Sequence, residues 1–181
     1  MARIRYDELV DTVRSRLPAC GPTTVVAVDG PSGSGKSELA DLLGRRLGAT
    51  VIRVDELVPG WHGLAATPPM LARDLLAPLA AGEIASVRRW NWVDDRPGEL
   101  MDVLPVPYLL LDGCGSGSRG IRPYLSLLVW VDAPEDVRHA RAMARDGDVF
   151  GPWWDVWADQ ERALFAAEGT ALAADIHLRS G

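Results

Sequence analysis

At 181 residues the chain is long enough to bury a sizeable core without disulfides or metal, and one domain over residues 1–181 is expected. Its net charge of -6 offers no general attraction to nucleic acid, so a polynucleotide partner is not expected. No apolar run reaches the roughly 18 residues that span a bilayer, so no membrane partner is expected, and two cysteines without CxxC pairing are too few for a disulfide scaffold or a zinc site.

The opening stretch MARIRYDELVDTVRSRL is charged throughout and lacks an apolar signal core, which predicts an amphipathic helix within residues 1–20 of a cytoplasmic protein. Thr23 to Asp29, TTVVAVD, is a short β-branched run ending at a glycine, a strand signal. Lys36 to Leu47 then places Leu39, Leu42, Leu43 and Leu47 at helical spacing. Further strands are predicted at Thr50 to Asp55, Tyr108 to Gly113, Ser126 to Asp132 and in DIHLR near the C-terminus, with helices over Pro69 to Ala81, Pro134 to Arg145 and Pro152 to Ala167. Near-continuous apolar strands alternating with helices imply strands buried on both faces, so the expected fold is three-layer α/β around a mainly parallel five-stranded sheet. Ala85 to Val103 is the least readable segment, either a strand with a turn or a substrate-facing insertion.

Between the first strand and its helix lies GPSGSGKSE, which satisfies GxxxxGK[ST] through Gly30, Gly35, Lys36 and Ser37. Glycines let the backbone of Gly30, Pro31, Ser32, Gly33, Ser34 and Gly35 wrap closely enough to aim N–H groups at phosphate oxygens, at the positive end of the helix that Glu38 helps to open. Lys36 reaches the β- and γ-phosphates as a compact charge, and the Ser37 hydroxyl is a candidate Mg²⁺ ligand. Of the 19 basic residues, 18 are arginine and the one lysine is Lys36. A planar guanidinium fits a tight phosphate cradle poorly, so the exception is accounted for by the site.

Two acids close predicted strands near this loop. Asp55, in VIRVDELVPGW, stands at the carboxyl edge of the sheet, where ligands bind, and either orders Mg²⁺ and takes a proton from an acceptor hydroxyl or caps a short turn. Asp112, in YLLLDG, has the strand-then-acid pattern of a carboxylate that holds Mg²⁺, or forms a turn before Gly113. Arg138, Arg141 and Arg145 fall at i, i+3 and i+7 and share one helix face, either a solvated surface or an arginine lid over about residues 138–153 that closes on the transferred phosphoryl group. Trp154, Trp157, Glu161 and Leu164 form a helical stripe that reads as core, whereas Trp61, Trp90 and Trp92 lie in irregular segments and read equally as packing or as walls of an acceptor pocket. The three histidines have no metal-ligand spacing.

With VAVDGPSGSGKSELADLL, VDELVPGW, LLLDGCGSGS and VWVDAPEDVRHARAMARDGD in hand, the chain resembles the uridine kinase-like branch of the P-loop nucleoside and nucleotide kinases. The resemblance implies a P-loop NTPase fold, ATP as donor, Mg²⁺, Asp55 as catalytic base toward a sugar hydroxyl, Asp112 in place of a carboxylate after the third strand, and lid arginines among Arg138, Arg141 and Arg145. Two motifs depart from the family pattern. Asp-Ser/Asp-Phe-Tyr reads DELV here, and the sugar-site YD(F/W) reads WNW, which puts Asn91 where a carboxylate is expected. The function expected is transfer of a γ-phosphoryl group from ATP to a hydroxyl of a small molecule such as a nucleoside. A nucleoside monophosphate kinase using Arg53, Arg88, Arg89 and Arg96, or a nucleotide-binding regulator without an acceptor, are the alternatives.

Overall fold

Apolar runs too continuous to have a solvent side dictate strands covered from both directions, and the computed structural model shows that arrangement. It describes residues 6–180; Gly181 and residues 1–5, the start of the predicted N-terminal helix, lie outside the described residues. In chain order the elements are α1 (Tyr6–Ser15), β1 (Thr24–Asp29), α2 (Lys36–Leu47), β2 (Thr50–Arg53), α3 (Thr67–Met70), α4 (Ala77–Ala80), β3 (Ala85–Asn91), β4 (Arg96–Val103), β5 (Tyr108–Asp112), β6 (Leu127–Asp132), α5 (Glu135–Phe150), α6 (Trp154–Glu168), α7 (Thr170–Ala173) and β7 (Ile176–Arg179). Five strands form one sheet in the order β2-β5-β1-β6-β7, and every pairing is parallel.

Side-chain alternation along the central strands splits the core into two faces. Val25 and Ala27 of β1 with Leu109 and Leu111 of β5 pack beneath Leu71, Leu75, Leu76 and Leu79. Val26, Val28 and Leu110 point the other way and meet Leu9 and Val13 of α1 and Leu39 and Leu43 of α2. Each fully buried leucine contributes roughly 1.5–3 kcal/mol through the apolar surface it hides. The segment joining α3 to α4, Leu71–Leu76, is π-helical, and Ala77 N–H reaches back five residues to Ala72 O. Pro78 follows it without an N–H to donate, and the wider turn absorbs that irregularity.

The least readable stretch is an antiparallel hairpin of β3 and β4, separate from the main sheet, with a register shift between Arg88 and Trp90. Ala85, Val87 and Val103 are buried in the core with Met101 packed against it, and the two-residue alternation fades beyond Val87. Helix α5 outruns its predicted end: Arg145 precedes a break at Asp146 (φ -136°, ψ 26°), and the helix resumes to Phe150. A third, aromatic cluster of Phe150, Trp154, Trp157 and Leu164, with Trp61 and Trp92 against it, lies beyond the carboxyl edge of the sheet. Among the described residues, no helix is long and apolar enough to cross a membrane.

Candidate active site

The loop between β1 and α2 is held from behind by close backbone contacts. Gly30 sits at φ +143°, where a Cβ would lie 2.0 Å from Val131 O of β6; at Gly33 (φ +76°) a Cβ would lie 2.2 Å from Arg138 O of α5. No other residue fits either place. Fully buried Asp29 fastens the loop's entry by accepting N–H bonds from Gly30 (2.7 Å), Gly115 (3.1 Å) and Gly117 (2.8 Å). Burial pushes its carboxyl up to about 6, while those backbone N–H groups and the Lys36 ammonium pull it down.

A cavity of about 540 Å³ opens in front of the loop. Of the predicted phosphate-binding residues, Ser32, Gly33, Gly35, Lys36, Ser37 and Glu38 line it. Gly30, Pro31 and Ser34 stand behind as scaffold. Lys36 is buried and donates to Pro31 O at 2.9 Å. Burial works against its charge, but the carboxylates of Glu161, Asp112 and Asp29 favour the ammonium and hold it above its ordinary value.

Asp112 pairs in register with Arg53 of β2 and Val28 of β1, so β5 delivers its carboxylate to the sheet edge. One oxygen is bound by Arg53, which also binds Asp41; the other, Oδ1, is buried and has no hydrogen-bond partner. Asp112, Ser37 and Asp55 all line the same cavity. Among the described residues no group of three or more His, Cys, Asp or Glu is placed to hold a metal. The donor set nevertheless fits Mg²⁺, which is held by one or two carboxylates and completes its shell with water and phosphate oxygens.

Asp55 corrects an expectation about its element. Pairing with β5 stops at Arg53, opposite Asp112, and Asp55 lies just beyond in a 3₁₀ turn, Val54–Leu57. The turn carries its carboxylate into the cleft. Asp55 keeps solvent-exposed surface, yet desolvation by the cleft walls first, and Asp112 second, push that carboxyl above its ordinary value, against the pull of Lys36 and Arg145. Asp55 also borders a second cavity of about 620 Å³, walled by Trp61, Trp92, Phe150 and Trp157.

The three helix arginines separate. Arg145 lines both cavities and Arg141 the first, where it donates to Ser180 Oγ at 2.8 Å. Arg138 is outside the cavity lining: its guanidinium donates to Ala133 O (3.1 Å) and Ser32 O (3.2 Å), bracing the loop's backbone. Shared helical phase did not give a shared target because the loop's carbonyls capture the residue nearest to them. The WNW segment divides likewise. Trp92 faces the second cavity and donates to Asp55 O at 3.0 Å, whereas Asn91 closes its own turn by accepting from the N–H groups of Val93 and Asp94, both at 3.0 Å.

Glu161 was read only as part of the core stripe. Its Oε1 lies within hydrogen-bonding distance of Ser32 N (2.9 Å), Ser32 Oγ (2.6 Å), Trp157 Nε1 (2.8 Å) and Cys114 Sγ (3.0 Å). Burial and the Glu161 charge hold the Cys114 thiol well above its ordinary value, so it stays protonated and donates its one hydrogen to Glu161 or to Gly30 O. A glutamate in the middle of an apolar helical stripe was the available signal.

No protein-family model and no curated protein matches the chain. Solved structures do. A possible uridine kinase from Bacillus stearothermophilus is 18% identical, covers 96% of both chains and superposes with a TM-score of 0.68. The fold is that of the P-loop kinases. A candidate fructose transport system kinase from Silicibacter sp. TM1040 shares it at 19% identity and TM-score 0.60, covering 97% of this chain and 99% of its own. D-glycerate 3-kinase from Cryptococcus neoformans does so at 12% identity and TM-score 0.53, with 92% and 88% covered. The P-loop kinase fold sets the glycine loop, Asp112 and the 3₁₀ turn of Asp55 side by side at the carboxyl edge of one parallel sheet.

Proposed function

We propose that the protein is a small-molecule phosphotransferase that uses ATP and Mg²⁺ to phosphorylate a hydroxyl, with Asp55 as general base. One observation carries the reading: Asp55 and Arg145 stand on the seam between a cavity floored by the phosphate loop and a second, aromatic-walled cavity. Donor and acceptor compartments thus meet at a carboxylate and a cation.

The acceptor hydroxyl loses its proton to Asp55 as its oxygen bonds to the γ-phosphorus; the bond from that phosphorus to the β,γ-bridging oxygen breaks, and ADP leaves with the electron pair. Lys36, Arg141, Arg145 and the backbone N–H groups of Gly33 and Gly35 meet the negative charge on the phosphoryl oxygens. Ser37, Asp112 and Asp55 would hold Mg²⁺, which would supply further neutralisation of phosphate charge. The rings of the second cavity keep water from competing with the acceptor.

A nucleoside monophosphate acceptor finds less support. The arginines available for its phosphate are engaged elsewhere: Arg53 with Asp41 and Asp112, Arg88 with Gly98 O, Arg89 with Glu56 and Arg96 with Asp94. The test is to incubate the purified protein with ATP, Mg²⁺ and a panel of nucleosides, nucleotides and small alcohols, and to repeat it with Asp55→Asn. Transfer to a hydroxyl that collapses in the variant supports the reading. Calorimetric nucleotide binding without turnover on any acceptor favours the regulator, and full activity of Asp55→Asn removes the base.

A further inference from the structure

The second cavity shows a charge and hydrogen-bonding pattern of its own. Its charged lining is three carboxylates, Asp55, Asp146 and Asp148, against one guanidinium, Arg145. Arg145 pairs with Asp146 and also lines the phosphate-loop cavity, so a bound triphosphate competes for the one cation of the acceptor side. Asp148 is exposed and, among the described residues, has no ion pair.

The side-chain donors that line the cavity are mostly engaged. Trp92 N–H is given to Asp55 O, Trp157 N–H to Glu161 or Ser32 Oγ, and the Ser32 hydroxyl to Glu161. Among the described residues, the lining side-chain donors left without a hydrogen bond are Trp61 N–H and the terminal N–H groups of Arg145, whose Nε is given to Asp146. The rings themselves are fixed: Trp61 stacks against Trp153 (5.3 Å, 4°) and Phe150 (5.8 Å, 18°), and Trp92 lies tilted against it at 4.8 Å. The chamber therefore offers ring surface and carboxylate acceptors, with few donors. A ligand rich in carbonyl or phosphate oxygens finds Arg145 and the Trp61 N–H, and meets three carboxylates. A ligand whose polar group is all donor, and cationic, finds both carboxylates and π surface.

We infer that the acceptor is a hydroxyl compound carrying a protonated amine next to a flat apolar group, recognised by the carboxylates and rings of the cavity shared by Asp55, Asp148, Trp61 and Trp92. This rests on the phosphoryl-transfer reading for the assignment of that cavity to the acceptor. The recognition itself can be measured without turnover.

The experiment titrates the full chain near pH 7, by intrinsic tryptophan fluorescence and by calorimetry, with four probes: phenylalaninol, its neutral N-acetyl derivative, uridine and uridine monophosphate. Phenylalaninol is expected to bind about tenfold tighter than the acetylated form, the scale of a partly desolvated cation–π contact beside carboxylates. In Asp148→Asn that ratio is expected to fall to about twofold or less, because one carboxylate facing the ammonium is gone. Thermal unfolding at the wild-type temperature confirms that the variant is folded. The inference is overturned if the acetylated form binds as tightly as the amine, if uridine or its monophosphate is preferred to phenylalaninol, if millimolar phenylalaninol does not bind, or if the ratio survives in Asp148→Asn. ATP consumption in the same mixtures tests transfer separately. Amine preference without transfer upholds recognition of a cationic ligand and removes the assignment of this cavity to the acceptor, whereas transfer to uridine without amine preference upholds the kinase reading and overturns this inference.

Discussion

The Glu161 carboxylate accepts from both the backbone N–H and the hydroxyl of Ser32, at 2.9 and 2.6 Å, and so ties the phosphate loop to helix α6 across 129 residues of chain. The carboxylate is buried, and removing it strands two donors of Ser32 at once, the backbone N–H and the hydroxyl, while the Trp157 N–H keeps Ser32 Oγ as a partner. Glu161→Ala is expected to lower stability by about 3 kcal/mol, since each stranded buried donor costs roughly 1–3 kcal/mol. Urea unfolding measures that loss. The same variant should raise the KM for ATP more than it lowers kcat, because Ser32 lines the donor cavity, whereas a purely packing role would leave KM unchanged.

Lys36→Arg keeps the charge and changes the shape. The buried ammonium lies 2.9 Å from Pro31 O inside its own loop, a space a planar fork does not share. Loss of about 100-fold or more in kcat/KM is expected, the scale of removing one preorganised charge donor. Steady-state kinetics of Lys36→Arg beside Lys36→Ala checks it: the two should be similarly impaired, and near-wild-type activity of the arginine variant would contradict the fit.

Activity should fall on the acid side at a pH above the ordinary aspartate value. Asp55 must be ionised to accept the hydroxyl proton, and desolvation by the cleft walls, with Asp112, raises its protonation midpoint, so lowering the pH through that raised value removes the base. The pH profile of kcat/KM is expected to show this acid limb. Asp55→Asn should lose it together with about 10²- to 10⁴-fold in kcat.

Arg145 and Arg138 should respond differently to the same substitution. Arg145→Ala takes a cation from the seam of both cavities and is expected to lower kcat by about 10³-fold with little change in stability. Arg138→Ala releases Ala133 O and Ser32 O, and its larger effects should be on the unfolding midpoint and the KM for ATP. Parallel kinetics and thermal melts separate the two.

Two glycines with positive φ make a further contrast. Gly30→Ala drives a methyl to 2.0 Å from Val131 O and is expected to prevent folding or to cost well over about 3 kcal/mol, whereas Gly48→Ala (φ +63°) meets nothing within 4 Å and should cost about 1 kcal/mol of backbone strain alone. Circular dichroism melts of both variants give the comparison.

Local chemistry made the central features readable from sequence. An apolar strand, a glycine turn and a helix are contiguous, and an acid at a strand's end betrays itself by the run before it, so β1, the loop and Asp112 were all legible. Asp55 was placed at the correct edge but in the wrong element, because where β2 stops depends on its register with β5. The arginines share a face by spacing, yet Arg138 turned to the loop because Ser32 O, which spacing cannot see, lies within its reach. Glu161 was hidden for a related reason: Trp154, Trp157 and Leu164 spell a core stripe around it, and the residue that needs its charge is far away in the chain. The hairpin tip stayed unread because its strands are mostly exposed and lose their alternation.

The break at Asp146 makes α5 a jointed lever. Its first arm rests against Gly33 and grips Ser32 through Arg138; its second carries Val149 and Phe150 into the acceptor wall. In the proposed reaction the two substrates would thus bind against opposite arms of one element. Substitutions at the joint should therefore change the affinities for both substrates together.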